Sequence, residues 1–186
     1  MTSDDSAPRT RPFENADARS DFRCGKHSLD DYFHQHAANN NALGVGRTFV
    51  LTRDTGATDL PEVLGYFTLS MATVLANDVR EQLPAKLPRY PLPVALIGRL
   101  AVDERARGRR LGEALLLDAM ERIAEASTML GCVGVIVDAL DADAETFYAA
   151  YDFEPIGDAG WPRRMFLAMA SIREALSTNS EDESAG

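Results

Sequence analysis

A mixed α/β sheet in a single domain is predicted by three features of the chain. An apolar run from Val94 to Val102 meets an arginine-rich bend, and a long amphipathic stretch follows as far as Leu130. A second apolar run, Val133 to Leu140, comes directly after it. Runs apolar at nearly every position read as buried strands, and two parallel strands joined through a helix make a right-handed crossover. Ahead of them, Arg47–Arg53 and Glu62–Ser70 flank a turn and read as an antiparallel hairpin.

The elements follow in order. Residues 1–11 are rich in Ser, Asp, Pro and Arg and are expected to form a disordered tail. A short strand is expected between Phe13 and Cys24. Ser28 with Asp31 reads as a capping box for a helix that puts Leu29, Tyr32, Phe33, His36 and Ala37 on one face and ends near Gly44. Asp54 to Pro61 reads as the hairpin turn, with Gly56 free to take positive φ. Met71 to Leu83 is ambiguous and fits a short helix. Pro84, Pro88, Pro91 and Pro93 make an irregular entry to the central strand, where Gly98 suggests a bulge or a close backbone approach.

In the long helix Leu116, Ala119, Met120, Ile123 and Leu130 form the core stripe. Asp118, Glu121, Arg122 and Glu125 face water, and Gly131 closes the end. Asp141 or Asp143 caps a further helix carrying Phe147, Tyr148 and Tyr151. Phe153 and then Arg164–Ala170 supply the last strands. The domain is bounded at 12–172, and 173–186 reads as a disordered acidic tail.

Composition narrows the function. Hydrophobic residues make up 45 % of the 186, enough to core one domain of this size. No apolar run approaches the roughly 20 residues needed to span a bilayer, and the polar start predicts a cytoplasmic protein without a membrane partner. Cys24 and Cys132 stand far apart with no C-x-x-C pair, so reduced thiols and no metal site are expected. His34 and His36 are two apart and do not share a helix face, which makes a poor metal pair. A net charge of −10 argues against a general nucleic-acid binder. The charge is uneven: Asp4, Asp5, Glu174, Glu181, Asp182 and Glu183 fall near the ends, whereas Arg99, Arg105, Arg107, Arg109 and Arg110 crowd the centre.

That bend joins a strand to a helix start, where unpaired N–H groups and the positive end of the dipole favour phosphate. Cations are unfavourable at that end of a helix, so several arginines there imply an anionic ligand.

The segment Arg107-Gly108-Arg109-Arg110-Leu111-Gly112 resembles the Q/R-x-x-G-x-G/A phosphate signature of the GNAT superfamily of N-acetyltransferases. The inner glycine is Arg110 here; the reading requires ordinary helical dihedrals at that residue. A narrower resemblance is to the acetyltransferase toxins of type II toxin–antitoxin modules. It is carried by Phe22, Cys24 and Gly25, Leu29 to Tyr32, Arg47 to Val50, Gly65 to Ser70, Gly98 to Asp103, and Phe147-Tyr148. The GNAT resemblance implies a mostly antiparallel sheet of about six to seven strands whose parallel central pair is splayed around acetyl-CoA, with helices flanking it.

The resemblance also implies a chemistry: acetyl transfer from acetyl-CoA to the α-amine of aminoacyl-tRNA, which blocks translation. A ribbon-helix-helix antitoxin and a homodimer are the usual partners. The diphosphate is expected on the N–H groups of Arg107, Gly108, Arg109, Arg110, Leu111 and Gly112, with charge from Arg107, Arg109 or Arg110. The backbone of Leu100, Ala101 and Val102 is expected to pair with the pantetheine amides, with an N–H near Leu100 facing the oxyanion. Phe147 reads as core or cofactor wall. Tyr148 is expected to protonate the departing thiolate, its alternative being a core aromatic. Asp152 stands where the family's F-Y-x-x-x-G-F has glycine. Asp141, Asp143 and Glu145 are candidate bases, with capping the commoner role for the first two. Lys86, Arg89, Arg99, Arg163 and Arg164 are candidates for contacting an acceptor tRNA. Two other readings stay open: a related enzyme acting on a small amine or a protein, and a non-catalytic acyl-CoA-binding or partner-binding module.

Overall fold

The computed structural model describes residues 10–53, 59–83 and 86–184. Its strands form one seven-stranded mixed sheet in the order β1-β2-β3-β4-β5-β7-β6. They are β1 (Arg11–Pro12), β2 (Arg47–Thr52), β3 (Val63–Val74), β4 (Leu92–Val102), β5 (Gly134–Ala139), β6 (Glu154–Pro155) and β7 (Arg163–Ala168). The helices are α1 (His27–Asp31), α2 (Ala37–Leu43), α3 (Leu111–Ala126), α4 (Ala142–Ala149) and α5 (Met169–Ser184), with a π-helical turn at Tyr32–His36. The chain divides into two compact units. One holds the described residues of Met1–Ser70 with Gly98–Ala119, the other those of Met71–Ile97 with Met120–Gly186.

In the first unit β2 pairs antiparallel with β1 and β3, the predicted hairpin. Its core is aromatic. Phe22, Tyr32, Phe33 and Tyr66 are buried together, and Phe33 lies 4.8 Å from both Phe22 and Tyr66 between ring centres. The Tyr66 hydroxyl donates to the Leu29 carbonyl at 2.7 Å, so burying that ring leaves no orphaned polar atom. Thr10 and Asp118 tie the first described residue to α3.

The second unit carries the parallel pair. Ala95, Leu96 and Ile97 of β4 face Val135, Ile136 and Val137 of β5. β7 runs antiparallel to β5 along its full length. Val94, Ile136, Ile156 and Phe166 belong to one buried cluster. Gly134 is required there: a Cβ would fall 2.4 Å from the Phe166 ring and 2.5 Å from the Leu167 carbonyl.

Several boundaries differ from expectation. Strand β1 is Arg11–Pro12, and the stretch expected as a strand carries a short 3₁₀ turn at Asp17–Arg19. There Asp17 is buried and accepts both guanidinium bonds of Arg11. Helix α1 begins at His27, so Ser28 lies inside it and caps nothing; Asp30 instead accepts the Cys24 N–H at 2.8 Å. Tyr32, Phe33 and Ala37 are buried as expected, whereas the π turn leaves His36 exposed. Gly44 closes α2 at φ 72°. Strand β3 continues to Val74, through the start of the expected short helix, and Pro93 lies within β4.

Helix α3 stops at Ala126, four residues short of Leu130, which is 58 % exposed; Gly131 is therefore not its cap. Leu116, Ala119, Met120 and Ile123 are buried as predicted, together with Leu115. The C-terminal stretch is helical, not a disordered tail: α5 has no Gly or Pro to break it, and Ile172 anchors its first turns in the core. The Asp54–Pro61 turn, including Gly56, lies largely outside the described residues, as do Pro84 and residues 1–9 of the N-terminal tail. No helix among the described residues is long and apolar enough to cross a membrane.

Replacing Gly134 with Ala should destabilise the chain by about 2–3 kcal/mol, because the backbone carbonyl of Leu167 cannot move aside cheaply. Urea unfolding measures it, and an unchanged midpoint would show that β5 and β7 are less closely packed than described.

Candidate active site

Each unit contributes a set of residues that the sequence singles out. In the first, β4 ends at Val102 and the chain turns through Asp103. Asp103 is fully buried, and its carboxylate accepts from the Arg23 N–H, the Arg105 N–H and two nitrogens of the Arg105 guanidinium, all at 2.8–2.9 Å. Those bonds hold its carboxyl below the usual range although burial acts the other way. Arg105 reaches on to Asp21 at 2.7 Å, and the Arg107 guanidinium donates to the Cys24 carbonyl at 2.6 Å. The bend is thus clasped to residues 21–24.

Past this clasp the chain offers main-chain donors. The Ala106 N–H is bonded to Asp103 and the Ala114 N–H to Arg110. Between them the N–H groups of Arg107, Gly108, Arg109, Leu111 and Gly112 have no acceptor among the described residues. Gly108 takes φ 78°, and nothing lies within 4 Å of where its Cβ would be. Arg110 takes φ 57°, the left-handed region that favours glycine, so ordinary helical dihedrals are not found there. Its exposed guanidinium grips Glu113 at 2.6 and 3.0 Å, an ion pair that anchors the strained residue.

The arginine cluster is therefore mostly committed. Arg105 is held by Asp103 and Asp21, Arg107 by a carbonyl and Arg110 by Glu113. Arg99 stacks 3.6 Å over the Tyr32 ring. Arg109 is exposed and has no ion pair among the described residues. Within β4, Ala101 is buried and Leu100 and Val102 half-buried. The parallel register with β5 spans Ala95–Ile97.

In the second unit Asp141 accepts the Ala144 N–H at 2.9 Å and caps α4, which settles the choice against Asp143. Tyr148 is the buried aromatic of that helix, 7 % exposed, while Phe147 and Tyr151 are half-buried. Phe147 and Phe153 pack on it at 5.2 and 5.6 Å. Its hydroxyl makes no hydrogen bond among the described residues, in contrast to that of Tyr66. Burial, with a smaller contribution from Asp138, pushes it above the usual phenol range. Asp152, the second departure from a family glycine, takes φ 65°, also in the left-handed region that favours glycine.

The cations expected for an acceptor do not form one set. Arg164 makes a bidentate pair with Asp138 at 2.8 and 3.0 Å. Arg163 lies 3.3 Å from Glu145, which is thereby engaged rather than free to act as a base. Lys86 and Arg89 line an open hollow. Cys24 and Cys132 are both free thiols, and burial pushes Cys24 up to about 11. The role of Asp103 was not assigned from sequence; its signal was an acid placed directly between an apolar strand and the arginine-rich bend.

Comparison with known proteins bears on both sets. The model of the Acetyltransferase (GNAT) family matches residues 10–153. A tRNA-acetylating toxin of Mycobacterium tuberculosis (strain ATCC 25618 / H37Rv) is 38 % identical over 149 residues, 80 % of this chain and 84 % of that protein. A tyrosine-to-phenylalanine mutant of the AtaT toxin, bound to the C-terminus of the antitoxin AtaR and acetyl-CoA, superposes with TM-score 0.72 at 25 % identity, over 92 % of this chain and 99 % of that one. AtaT complexed with acetyl-methionyl-tRNAfMet superposes with TM-score 0.74 at 26 % identity, over 90 % and 98 %.

Asp103→Asn should cost about 3 kcal/mol near neutral pH, since it strips a buried charge from Arg105. The native carboxyl titrates below its unfolded value of about 3.9, so its contribution is complete above that value and lost as pH falls through the lowered one. Urea titrations of the wild type and the variant should differ steadily from pH 5 to 8 and converge below about pH 4. A gap independent of pH would mean that the charge of Asp103 is not what holds the bend.

Proposed function

Because this chain belongs to the acetyltransferase (GNAT) family, we propose that it transfers acetyl from acetyl-CoA to the α-amine of an aminoacyl-tRNA and thereby blocks translation. The observation that carries the reading is the set of N–H groups at Arg107, Gly108, Arg109, Leu111 and Gly112, at the start of α3, that meet no acceptor among the described residues. It is supported by a relative named as a tRNA-acetylating toxin and by a structural neighbour holding acetyl-methionyl-tRNAfMet.

The residues present suit the cofactor. A diphosphate needs several convergent donors and room for its oxygens, and the bend offers both beside Gly108. The N–H groups of Arg107, Gly108, Arg109, Leu111 and Gly112 would hold it, with added charge from Arg109. Arg107 and Arg110 act indirectly, by fixing the bend through Cys24 and Glu113. The backbone of Leu100, Ala101 and Val102 would pair with the pantetheine amides, and Phe147 would wall the chain in.

Acetyl-CoA supplies, when bound, a thioester whose sulfur can leave as a thiolate. An α-amine with pKa about 8 is partly neutral at pH 7, so none of Asp141, Asp143 and Glu145 needs to act as a strong base. Tyr148 holds its proton on Oη for the departing sulfur. Burial keeps the phenol protonated across the physiological range, and its hydroxyl is spent on no other group among the described residues. A protein acting on aminoacyl-tRNA works in the cytoplasm. A ribbon-helix-helix antitoxin and a second copy of the chain are its expected partners; the neighbour bound to the antitoxin AtaR supports the antitoxin alone.

Tyr148→Phe should lower acetylation of aminoacyl-tRNA by about 10²-fold while changing the KM for acetyl-CoA by less than about twofold. Translation in an extract supplied with acetyl-CoA should stop with the wild type and continue with the variant. Full activity in the variant would remove Tyr148 from the reaction; translation untouched by the wild type would remove the acceptor.

A further inference from the structure

Several cations of this chain are held by acids. Arg11, Arg105, Arg110 and Arg164 sit against carboxylates at 2.6–2.8 Å. Arg80, Lys86 and Arg89 do not. All three are exposed and line one open hollow of about 920 Å³ together with Leu75 and Tyr90. Among the described residues Arg80 donates to the Asn77 side chain, at 2.7 Å, and none of those lining the hollow is an acid. Tyr90 is 67 % exposed and Leu75 60 %, so an aromatic face and an apolar surface lie open beside the charges.

In a chain of net charge −10, three like charges line one hollow and have no ion pair among the described residues. An exposed ring beside them adds something that charge alone does not need. Cations that follow a phosphate backbone, with an aromatic on which a base stacks, make the usual surface for single-stranded nucleic acid. An acidic peptide would use the charges and leave Tyr90 idle. A duplex would keep its bases stacked and out of reach of the ring.

We propose that the hollow between Leu75 and Tyr90 binds the unpaired 3′ end of an RNA strand, with phosphates on Arg80, Lys86 and Arg89 and a base on Tyr90. This rests on the reading of aminoacyl-tRNA as acceptor and adds to it the part of the chain that grips the RNA.

The test is fluorescence anisotropy of a labelled single-stranded oligoribonucleotide ending in CCA, titrated with the full chain over a range of salt. Three phosphate contacts predict a slope of log K against log salt of about −2. The triple variant Arg80→Ala, Lys86→Ala, Arg89→Ala should lose that slope and bind at least about tenfold more weakly at low salt. Arg80→Lys with Arg89→Lys should keep it. Tyr90→Ala should weaken binding about tenfold with the slope retained, and Tyr90→Phe should leave the affinity intact. The proposal is overturned if the wild type does not bind the oligonucleotide, if the variants bind it equally, or if a polyglutamate peptide displaces it at similar concentration. Acetylation of intact aminoacyl-tRNA by the wild type, measured in parallel, separates the two readings. Turnover with oligonucleotide binding unchanged in the variants ends the hollow and spares the enzyme. Variant-sensitive binding without turnover does the reverse.

Discussion

A single buried carboxylate decides where the main-chain donors at the start of α3 lie. Asp103 sits at the end of β4 with no solvent contact and four hydrogen bonds, two of them from backbone N–H groups. A buried charge is tolerated only when fully paired, so the bend around it has one arrangement available. Arg105 and Arg107 extend the constraint to Asp21 and Cys24. What emerges from this clasp is a left-handed Gly108, a left-handed Arg110 and a helix whose first donors meet no acceptor among the described residues.

This arrangement changes the meaning of the arginines. Read in sequence, they are a basic patch awaiting an anion. In the folded chain most of them are struts: Arg105, Arg107 and Arg110 position backbone, and their charge is matched by acids or carbonyls. The attraction for an anion then rests on dipoles and N–H groups, which suit an acidic protein because they recruit phosphate without raising its net charge. Besides Arg109, cationic charge without an ion pair among the described residues lies at Arg80, Lys86 and Arg89.

Much of the fold was legible because its signals are local and periodic. The hairpin of β2 and β3, the strands β5 and β7, and four buried positions of α3 follow from patterns of two and of 3.6 residues. The failures share a cause. The partners of Arg105 and Arg164 are 84 and 26 residues away, and no local pattern announces a pair that only the fold creates. Tyr148 was legible as a polar-tipped aromatic, yet its burial and its unbonded hydroxyl were not. The departure at Arg110 misled: the phosphate reading asked for ordinary helical dihedrals there, and the residue takes a left-handed conformation instead, with its guanidinium held by Glu113. Helix ends were the least legible of all, since α3 stops before its apolar pattern does and α5 runs on where composition suggested none.

The central claim is that backbone amides at the start of α3, more than arginine charge, recognise a diphosphate. Calorimetric titration with coenzyme A and with pantetheine, which lacks the nucleotide and its phosphates, tests this directly. Coenzyme A should bind one to one, pantetheine at least about 100-fold more weakly, and Arg109→Ala should lower coenzyme A affinity by no more than about tenfold. Equal binding of the two ligands, or loss of coenzyme A binding on removal of Arg109 alone, would contradict it.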